Sequence, residues 1–355
     1  MQDDETPDFD DEDDEAPGWD AIDAVLNGIY GDQEPIHWAT IVPFEEGGRE
    51  PLVGISAYRS EEQPAHWHYV TYGFSDLYEK ESENLESSGF GFELTLRLSG
   101  SLSEDPPAWP VNFLQNLARY VFETGNGFGI GHTMSLNGPI KVGDETRIRS
   151  ITFVTDPQLG CMSSVHGRVE FLQVVGLTED EQDAALDWNA LRLTELMQQQ
   201  NPLLVIDLAR SSHLADPEFQ AAVARGTAAE GASGGWINGT DILAVCKGHD
   251  CRVTMGAYLS RTVGRRLSGR IPHGRDLNVA TEEIRLHFVP EDEFRWTRWN
   301  ECLIFQMTGT QSQLVAQWMR QGVGLYTSPE IPGFTLEIVP TEILNSDGQV
   351  VEIVE

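Results

Sequence analysis

The most regular alternation of apolar and polar residues in the chain lies within residues 89–98, GFGFELTLRL. Successive side chains of a β-strand point to opposite faces, so this alternation predicts a strand with one apolar face. That face carries Phe90, Phe92, Leu94, Leu96 and Leu98. Apolar runs predict further strands at 37–43, 147–154, 168–177, 203–208, 252–259, 282–290, 301–309 and 334–340.

Two segments, 17–30 and 108–127, have a proline near their start and then carry apolar residues at helical spacing. Proline suits the first turn of a helix, where the backbone N–H has no intrahelical partner. Residues 178–197 and 312–321 are also predicted to be helical. Because strands and helices mix without regular βαβ alternation, the pattern predicts an α+β fold with mixed sheets.

The best candidate for a flexible linker is 224–235, ARGTAAEGASGG, which is small and almost free of large apolar side chains. We therefore predict two mixed α/β-sheet domains, at 17–223 and 236–355. Residues 1–16 are predicted to be a disordered acidic tail, since ten of the first fifteen residues are Asp or Glu.

The chain has 355 residues and a formal charge of −34. This charge argues against nucleic acid as a partner, because the protein would repel phosphates, and against an anionic membrane surface. No apolar run is long enough to span a bilayer, and the acidic N-terminus is unlike a signal peptide. We expect a cytoplasmic protein, and the charge favours either basic proteins as partners or partners for which charge does not matter.

Residues 66–82, HWHYVTYGFSDLYEKES, are the most chemically varied stretch. His66 and His68 would project to the same side of a strand and could share a metal ion. Zinc sites need three or four protein ligands, however, and no HExxH or CxxC motif supplies the others. The structural alternative buries both rings in the core. The cluster of Cys246, His249 and Cys251 also lacks a second ligand pair, and we expect no metal and no cofactor.

Two loops have unusual compositions. Residues 125–132, GNGFGIGH, follow a predicted helix, whereas phosphate-binding glycines precede one, so a peptide fits this loop better than a nucleotide. Residues 260–275, SRTVGRRLSGRIPHGR, contain five arginines. They either hold a carboxylate by bidentate hydrogen bonds or form a solvated strand or loop balanced by the protein's own acids. No GxSxG motif, and no Ser/His/Asp or Cys/His arrangement, can be recognised from the local sequence.

Several segments, taken in order, resemble one known family. They are HWHY followed by GFSDLYEKES, then SGFGFELTLRL, PPAWPVNFLQNLARYVF, FLQVVG and DPEFQAAVARG, and later LSGRIPHGRDL. Together they resemble Suppressor of fused, over about Trp19 to Arg225 and more thinly beyond. The resemblance implies two α+β domains with a flexible connection and no enzymatic activity. The excess of Arg over Lys and the lack of a long insertion favour a bacterial member.

The resemblance also implies where a partner binds. The family holds a short extended peptide as an added strand between its two domains, which is β-augmentation. The matching positions, predicted to bind the partner, are Arg119, Tyr120, Phe128, His132 and Asp156 in the first domain and Arg270, His273 and Arg275 in the second. His132 stands where the family has a peptide-contacting aspartate.

Three functions follow from these observations. The first is a non-enzymatic protein that captures a partner polypeptide in the cleft between two domains and neutralises a toxin, as an immunity protein. The second is a cytoplasmic negative regulator that sequesters a transcription factor, as in Hedgehog signalling. The third is a metal-dependent enzyme that uses His66 and His68 or the cysteine cluster.

Overall fold

The computed structural model describes residues 16–42, 44–240, 242–344 and 349–355. The predicted acidic tail, apart from Ala16, lies outside the described residues. The chain divides into two compact units. Unit 1 runs to Glu179 and also takes in Thr194–Ser212, and unit 2 comprises Asp180–Leu193 and His213–Glu355. The boundaries of these two units therefore differ from those of the predicted domains.

The elements are numbered in chain order. The α-helices are α1 (Pro17–Tyr30), α2 (Trp109–Thr124), α3 (Glu179–Asp187), α4 (Ala190–Gln198), α5 (Pro217–Glu230), α6 (Ala257–Arg270) and α7 (Gly309–Gln321). The first eight strands are β1 (Ile36–Ala39), β2 (Gly54–Ser60), β3 (His66–Tyr72), β4 (Ser87–Ser99), β5 (Thr133–Ser135), β6 (Ile148–Thr155), β7 (Cys161–Ser164) and β8 (Gly167–Thr178). The later strands are β9 (Trp236–Asn238), β10 (Ile242–Lys247), β11 (Asp250–Gly256), β12 (Leu277–Ala280), β13 (Arg285–Pro290), β14 (Arg295–Trp299), β15 (Cys302–Met307), β16 (Gly324–Tyr326), β17 (Phe334–Val339), β18 (Thr341–Leu344) and β19 (Val350–Val354). Short 3₁₀ helices lie at Phe44–Glu46, His213–Ala215 and Ile271–His273.

Unit 1 is a mixed sheet with a helix on each face. In its described part the strand order is β1-β2-β3-β4-β8-β6-β5, with β7 also beside β8. Helix α1 packs Ile22 and Leu26 on one face, and α2 packs Leu114 and Val121 on the other. All seven residues of β3 are buried as a result, which supports the structural interpretation of His66 and His68 over the metal site.

Strand β4 confirms the alternation that predicted it, with one correction. Phe92 and Leu94 enter the core beneath α2 as expected. The opposite, polar face is also inaccessible to solvent, because Glu93, Thr95 and Arg97 are all 0% exposed. Both faces of the central sheet are thus interior, and the polar residues between them must find their partners inside the protein.

Unit 2 has two main sheets, in the orders β10-β11-β17-β16 and β14-β15-β13-β12-β9, and a β18-β19 ribbon. Helices α6 and α7 contribute apolar side chains such as Val263 and Met319 to a core shared with both main sheets. The α+β class predicted from the sequence is confirmed by this mixture of helices with parallel and antiparallel strands.

Several predicted elements were wrong. The arginine-rich segment predicted as a strand or loop is helical from Ala257 to Arg270, so the strand predicted at 252–259 stops at Gly256. The helix predicted over 178–197 is two helices, α3 and α4. Residues 203–208 are not a strand and form only an isolated bridge between Leu98 and Ile206. Residues 224–230 of the predicted linker are the last turns of α5.

Candidate functional site

The end of helix α2 presents the first of the predicted site residues. The helix has Pro110 in its first turn and ends where Gly125 adopts a left-handed φ of 72°. The Gly125 N–H closes the helix by donating to the carbonyl of Val121 at 2.8 Å. The apolar stripe of α2 faces the core. Tyr120 lies outside this stripe, and 41% of its surface is exposed.

The glycine-rich loop after α2 folds back onto this tyrosine. Phe128 stacks on Tyr120 with ring centroids 5.7 Å apart and planes 17° apart. Its other face stacks on the buried Phe153, at 4.4 Å and 18°. Three stacked rings therefore extend from the core to the surface. This stacking restricts the rotation of the exposed Tyr120 ring in the unbound protein.

His132 completes this surface. Its ring lies against Gly129, and its side chain is exposed. Its carbonyl accepts hydrogen bonds from the Thr152 hydroxyl at 2.8 Å and from the Phe153 N–H at 3.3 Å. The backbone at His132 is therefore fixed to strand β6. We call the exposed area formed by Tyr120, Phe128 and His132 the Tyr120 surface.

The Tyr120 surface adjoins the free edge of the sheet, because β5 is the last strand in the described order. The Leu136 N–H donates to β6, and β6 donates to the His132 carbonyl. Hydrogen-bonded positions alternate along an antiparallel strand, so the N–H groups of Thr133 and Ser135 point away from β6. Within the described residues, the backbone N–H groups of 127–130 make no hydrogen bond to the protein either.

Arg119 precedes Tyr120 but points elsewhere. Its Nη1 lies 3.1 Å from Glu50 Oε2 and 3.5 Å from the carbonyl of Arg49. Its Nη2 contacts Asn116, one turn earlier in α2. The guanidinium is therefore engaged in a surface ion pair. The structure brings Tyr120, Phe128 and His132 together and places Arg119 beside them with its charge directed away.

Asp156 was wrongly predicted to face a partner, since the residue is 1% exposed. Its carboxylate accepts two hydrogen bonds from Arg97, at 2.6 and 3.0 Å, and one from Thr95 at 2.7 Å. Burial alone would raise the pKa of Asp156, but His68 and Arg97 hold it well below its ordinary value. Asp156 is the centre of an interior polar network and is inaccessible to a partner.

His68 belongs to the same network. Its Nε2 lies 3.3 Å from Asp156, and its Nδ1 lies 2.8 Å from the Tyr30 hydroxyl. Burial, and then the charge of Arg97, lower the pKa of His68 to about 4. The imidazole is therefore neutral at pH 7, and its hydrogen-bond partner is the Tyr30 hydroxyl at Nδ1.

In unit 2, Arg270 is a second residue that the sequence assigned wrongly to partner binding. It is 7% exposed, and its Nη1 donates to the carbonyls of Ala232 at 2.9 Å and Ser233 at 2.7 Å. His273 packs against Gly231, and the exposed Arg275 donates to the Ala232 carbonyl at 3.2 Å. All three side chains thus hold residues 231–233, and Ala232 itself is 0% exposed. Of the three, Arg275 keeps an exposed charge.

Comparisons with known proteins agree with the resemblance in sequence. Residues 48–211 match the family model described as Suppressor of fused protein. The chain is 36% identical over 234 residues to the Suppressor of fused homologs of Homo sapiens and Mus musculus, a match that covers 61% of this chain. A chain in the Sufu-Fu complex crystal structure is 31% identical and covered over 98% of its length, with a TM-score of 0.55. The chain belongs to the Suppressor of fused family.

The fold match extends further than the sequence match. The crystal structure of Drosophila Suppressor of Fused superposes with a TM-score of 0.77, over 91% of this chain and 97% of that one, at 21% identity. The Sufu-Fu match covers 59% of this chain. The human and mouse Suppressor of fused homologs are longer, and the matched region spans 48% of each.

The metal-site alternatives find no structural support. His66 Nδ1 lies 2.7 Å from the Pro64 carbonyl, and His68 contacts Asp156 and Tyr30. Cys246 and Cys251 face each other across a β-hairpin with their Sγ atoms 2.7 Å apart. Over the described parts of the chain, no group of three or more His, Cys, Asp or Glu side chains is arranged to hold a metal ion. No helix among the described residues is long and apolar enough to cross a membrane.

Sequence reasoning missed a cavity in unit 1. Phe44, Phe74, Phe90 and Phe122 line it, together with the loop after β3. The alternation in β4 assigned Phe90 to the buried face, yet 39% of this ring is exposed. The sequence feature that could have drawn attention to this region is the run of acidic residues at 76–86, directly beside the aromatic stretch.

Proposed function

We propose that this chain is a non-catalytic regulator that holds an extended segment of a partner polypeptide at the Tyr120 surface. The segment pairs with the free edge of β5 and lays one side chain on the Tyr120 ring. The observation that carries this proposal is an exposed, pre-stacked tyrosine beside a sheet edge with outward N–H groups at Thr133 and Ser135. Such an edge is a template for strand addition, and main-chain hydrogen bonds supply the affinity.

The family supports a polypeptide as the ligand. One of the related crystal structures is that of the Sufu-Fu complex, in which Sufu is joined to a protein partner, Fu. The comparisons give this support to protein binding and regulation, and none to the toxin-neutralising role that the sequence favoured first. We therefore propose regulation by sequestration, with a transcription factor as the first class of partner to examine.

Capture of the partner between two domains stays a prediction, as does the contribution of Arg275. Arg275 is the unit 2 candidate with an exposed guanidinium. If the second domain contributes, Arg275→Ala should weaken binding without affecting folding. Full affinity in that variant would limit the binding surface to other residues.

Comparative affinity purification from the native organism tests the proposal. The wild-type chain serves as one bait and Tyr120→Ala as another. A third, Ser135→Pro, removes one outward N–H but no bond to β6. Val165→Ala, an exposed apolar residue in the β7–β8 turn, is the matched control. A true partner should be captured by wild type and control but be lost from both site variants.

The affinity of the recovered partner for each variant then gives the size of the loss in binding. Tyr120→Ala should cost about 2 kcal/mol or more, roughly thirtyfold, as a large aromatic contact at an interface does. Circular dichroism must show both variants folded. If folded Tyr120→Ala and Ser135→Pro bind the partner as tightly as Val165→Ala, the Tyr120 surface is not the site.

A further inference from the structure

The cavity missed by the sequence has a volume of about 630 Å³, within the range of ligand-binding pockets. Phe122 is one of its lining residues, with ring centroids 5.8 Å from Phe44 and 5.1 Å from Phe90. Phe122 and Tyr120 are two positions apart on α2, so they lie on different sides of the helix. The cavity and the Tyr120 surface are therefore separate areas of unit 1.

The turn after β3, which lines part of the cavity, is fixed by a buried carboxylate. Glu93, 0% exposed, accepts hydrogen bonds from the backbone N–H groups of Gly73 at 3.0 Å and Ser75 at 2.9 Å. The hydroxyls of Ser75 and Thr71 donate to it at 2.7 and 2.6 Å. Four donors converging on one side chain hold the turn after β3 in a single shape.

The loop 76–89, part of which lines the cavity, is also held by internal hydrogen bonds. Asp76 accepts from the Gly89 N–H at 2.8 Å and from the Ser82 hydroxyl at 2.9 Å. The Lys80 ammonium donates to the carbonyls of Asn84 at 2.7 Å and Ser87 at 2.5 Å. The cavity is therefore preformed, which lowers the entropic cost of filling it.

The interior of the cavity exposes aromatic surface. Phe44 is 38% and Phe90 39% exposed, and Tyr78 at the rim is 48% exposed. Clustered apolar area of this kind, rimmed by polar groups, is typical of an interaction site. A bulky apolar side chain would cover it, and aromatic ring faces additionally attract a cation.

The surroundings of the cavity are acidic. Glu81 lies in its lining, together with Glu50, which pairs with Arg119, and Asp76, which pairs with Lys80. The adjoining segment 78–86 carries four glutamates against one lysine. The start of α1 is fixed to the same loop, since the Gly18 N–H donates to the Leu77 carbonyl at 2.9 Å. Residues 1–15, which precede α1 in the sequence, contain ten further carboxylates.

We propose that this cavity is a second docking site, which takes a bulky apolar side chain of a partner protein flanked in sequence by Lys or Arg. The phenylalanines supply the apolar contact, and the acidic residues in and beside the lining select the basic flanks by charge complementarity. The same charges disfavour the chain's own acidic N-terminal segment as the occupant. The proposal does not depend on the Tyr120 surface being a binding site.

Selection from a displayed library of random short peptides on the immobilised full-length chain tests the proposal. The peptides selected at this site should combine Phe, Trp, Leu or Met with neighbouring Arg or Lys. Synthetic versions of them should bind at least about tenfold more weakly when the apolar residue becomes Ala, and again when the basic residues become Glu. Selected peptides without basic residues would contradict the proposal.

Two pairs of protein variants locate the binding. Phe90→Ala is matched with Leu85→Ala, an exposed apolar residue outside the cavity lining. Glu81→Lys is matched with Glu83→Lys in the same loop, also outside the lining. The cavity variants should lose about tenfold in affinity and the controls should keep it. Equal binding to all four, or loss with Tyr120→Ala instead, would place the peptides elsewhere and overturn the proposal.

Deletion of residues 1–15 separates a basic partner from self-occupation. If a basic partner binds, removal of ten carboxylates should lower the affinity of the selected peptides, more so at low salt than at high salt. If the N-terminal segment itself occupies the cavity, deletion should raise the affinity instead. The second result would overturn the proposal.

Discussion

Two regions of unit 1 differ in what they expose. In one region charged side chains are buried, and in the other aromatic side chains are open to solvent. The interior network joins Arg97, Asp156 and His68 and contains a cation, an anion and an imidazole, yet each of these side chains is at most 1% exposed. The Tyr120 surface offers stacked rings at the end of a helix, and it is open to a partner. Burial, more than residue type, therefore separates residues that hold the fold from residues that can bind. The difference can be measured, because substitutions in the two regions are expected to change the free energy of unfolding by different amounts.

The largest effect is expected for Asp156→Ala. Removal of the carboxylate leaves the buried Arg97 guanidinium without its counter-charge, which costs about 3–5 kcal/mol of unfolding free energy. Tyr120→Ala loses only one exposed stacking contact, worth about 0.5–1.5 kcal/mol. Urea denaturation of both variants measures the contrast. Similar free energies of unfolding for the two would contradict the distinction between interior network and surface.

The pH dependence of stability provides the next test, through Glu93. Burial raises the pKa of Glu93 from 4.5 to about 7, against the hydrogen bonds from Ser75, Thr71 and Gly73. A folded-state pKa above the unfolded one means that this group's contribution is complete below about pH 4.5 and is lost as the pH rises through 7. The loss is on the order of 3 kcal/mol.

Glu93→Gln removes that titration. Relative to wild type, the variant should therefore gain stability between about pH 5 and about pH 8, as measured by denaturation at a series of pH values. Other titrating groups are common to both proteins and cancel in the difference. If the two stability curves run parallel over this range, the four donors keep Glu93 ionised and the expected shift is wrong.

A smaller contrast is expected in unit 2, between Arg270→Ala and Arg275→Ala. The sequence assigned both arginines to partner binding, but Arg270 is buried against the carbonyls of Ala232 and Ser233. Its loss leaves buried acceptors without a charged donor and should cost about 2 kcal/mol of unfolding free energy. Arg275 is exposed with one 3.2 Å bond, so its loss should cost about 0.5 kcal/mol or less. Equal costs would remove the distinction.

The sequence predicted elements well where one local pattern decided them. The alternation in β4 and the proline starts of α1 and α2 are such cases. The helix α6 was missed, although Val263 and Leu267 are four residues apart on its buried side. The arginines around them obscure this apolar period, so the composition of the segment favours a solvated strand or loop.

The site was predicted only in part, because burial depends on distant segments. Tyr120 and Phe128 lie eight residues apart, and the resemblance to the family pointed to both. The resemblance assigned Asp156 to partner binding, whereas its actual partner Arg97 lies 59 residues earlier in the chain. No local pattern shows that such a pair will meet inside a sheet with helices on both faces.

The smallest effect is expected for deletion of residues 1–15, which lie outside the described part of the chain. This segment carries ten carboxylates and few apolar side chains, so it has little surface with which to offset the entropy of ordering. Its removal should change the free energy of unfolding by less than about 0.5 kcal/mol. The single buried Asp156 should thus matter more to stability than ten carboxylates at the terminus. A truncated chain that melts several degrees lower would show that the segment packs on the fold, and would end that comparison.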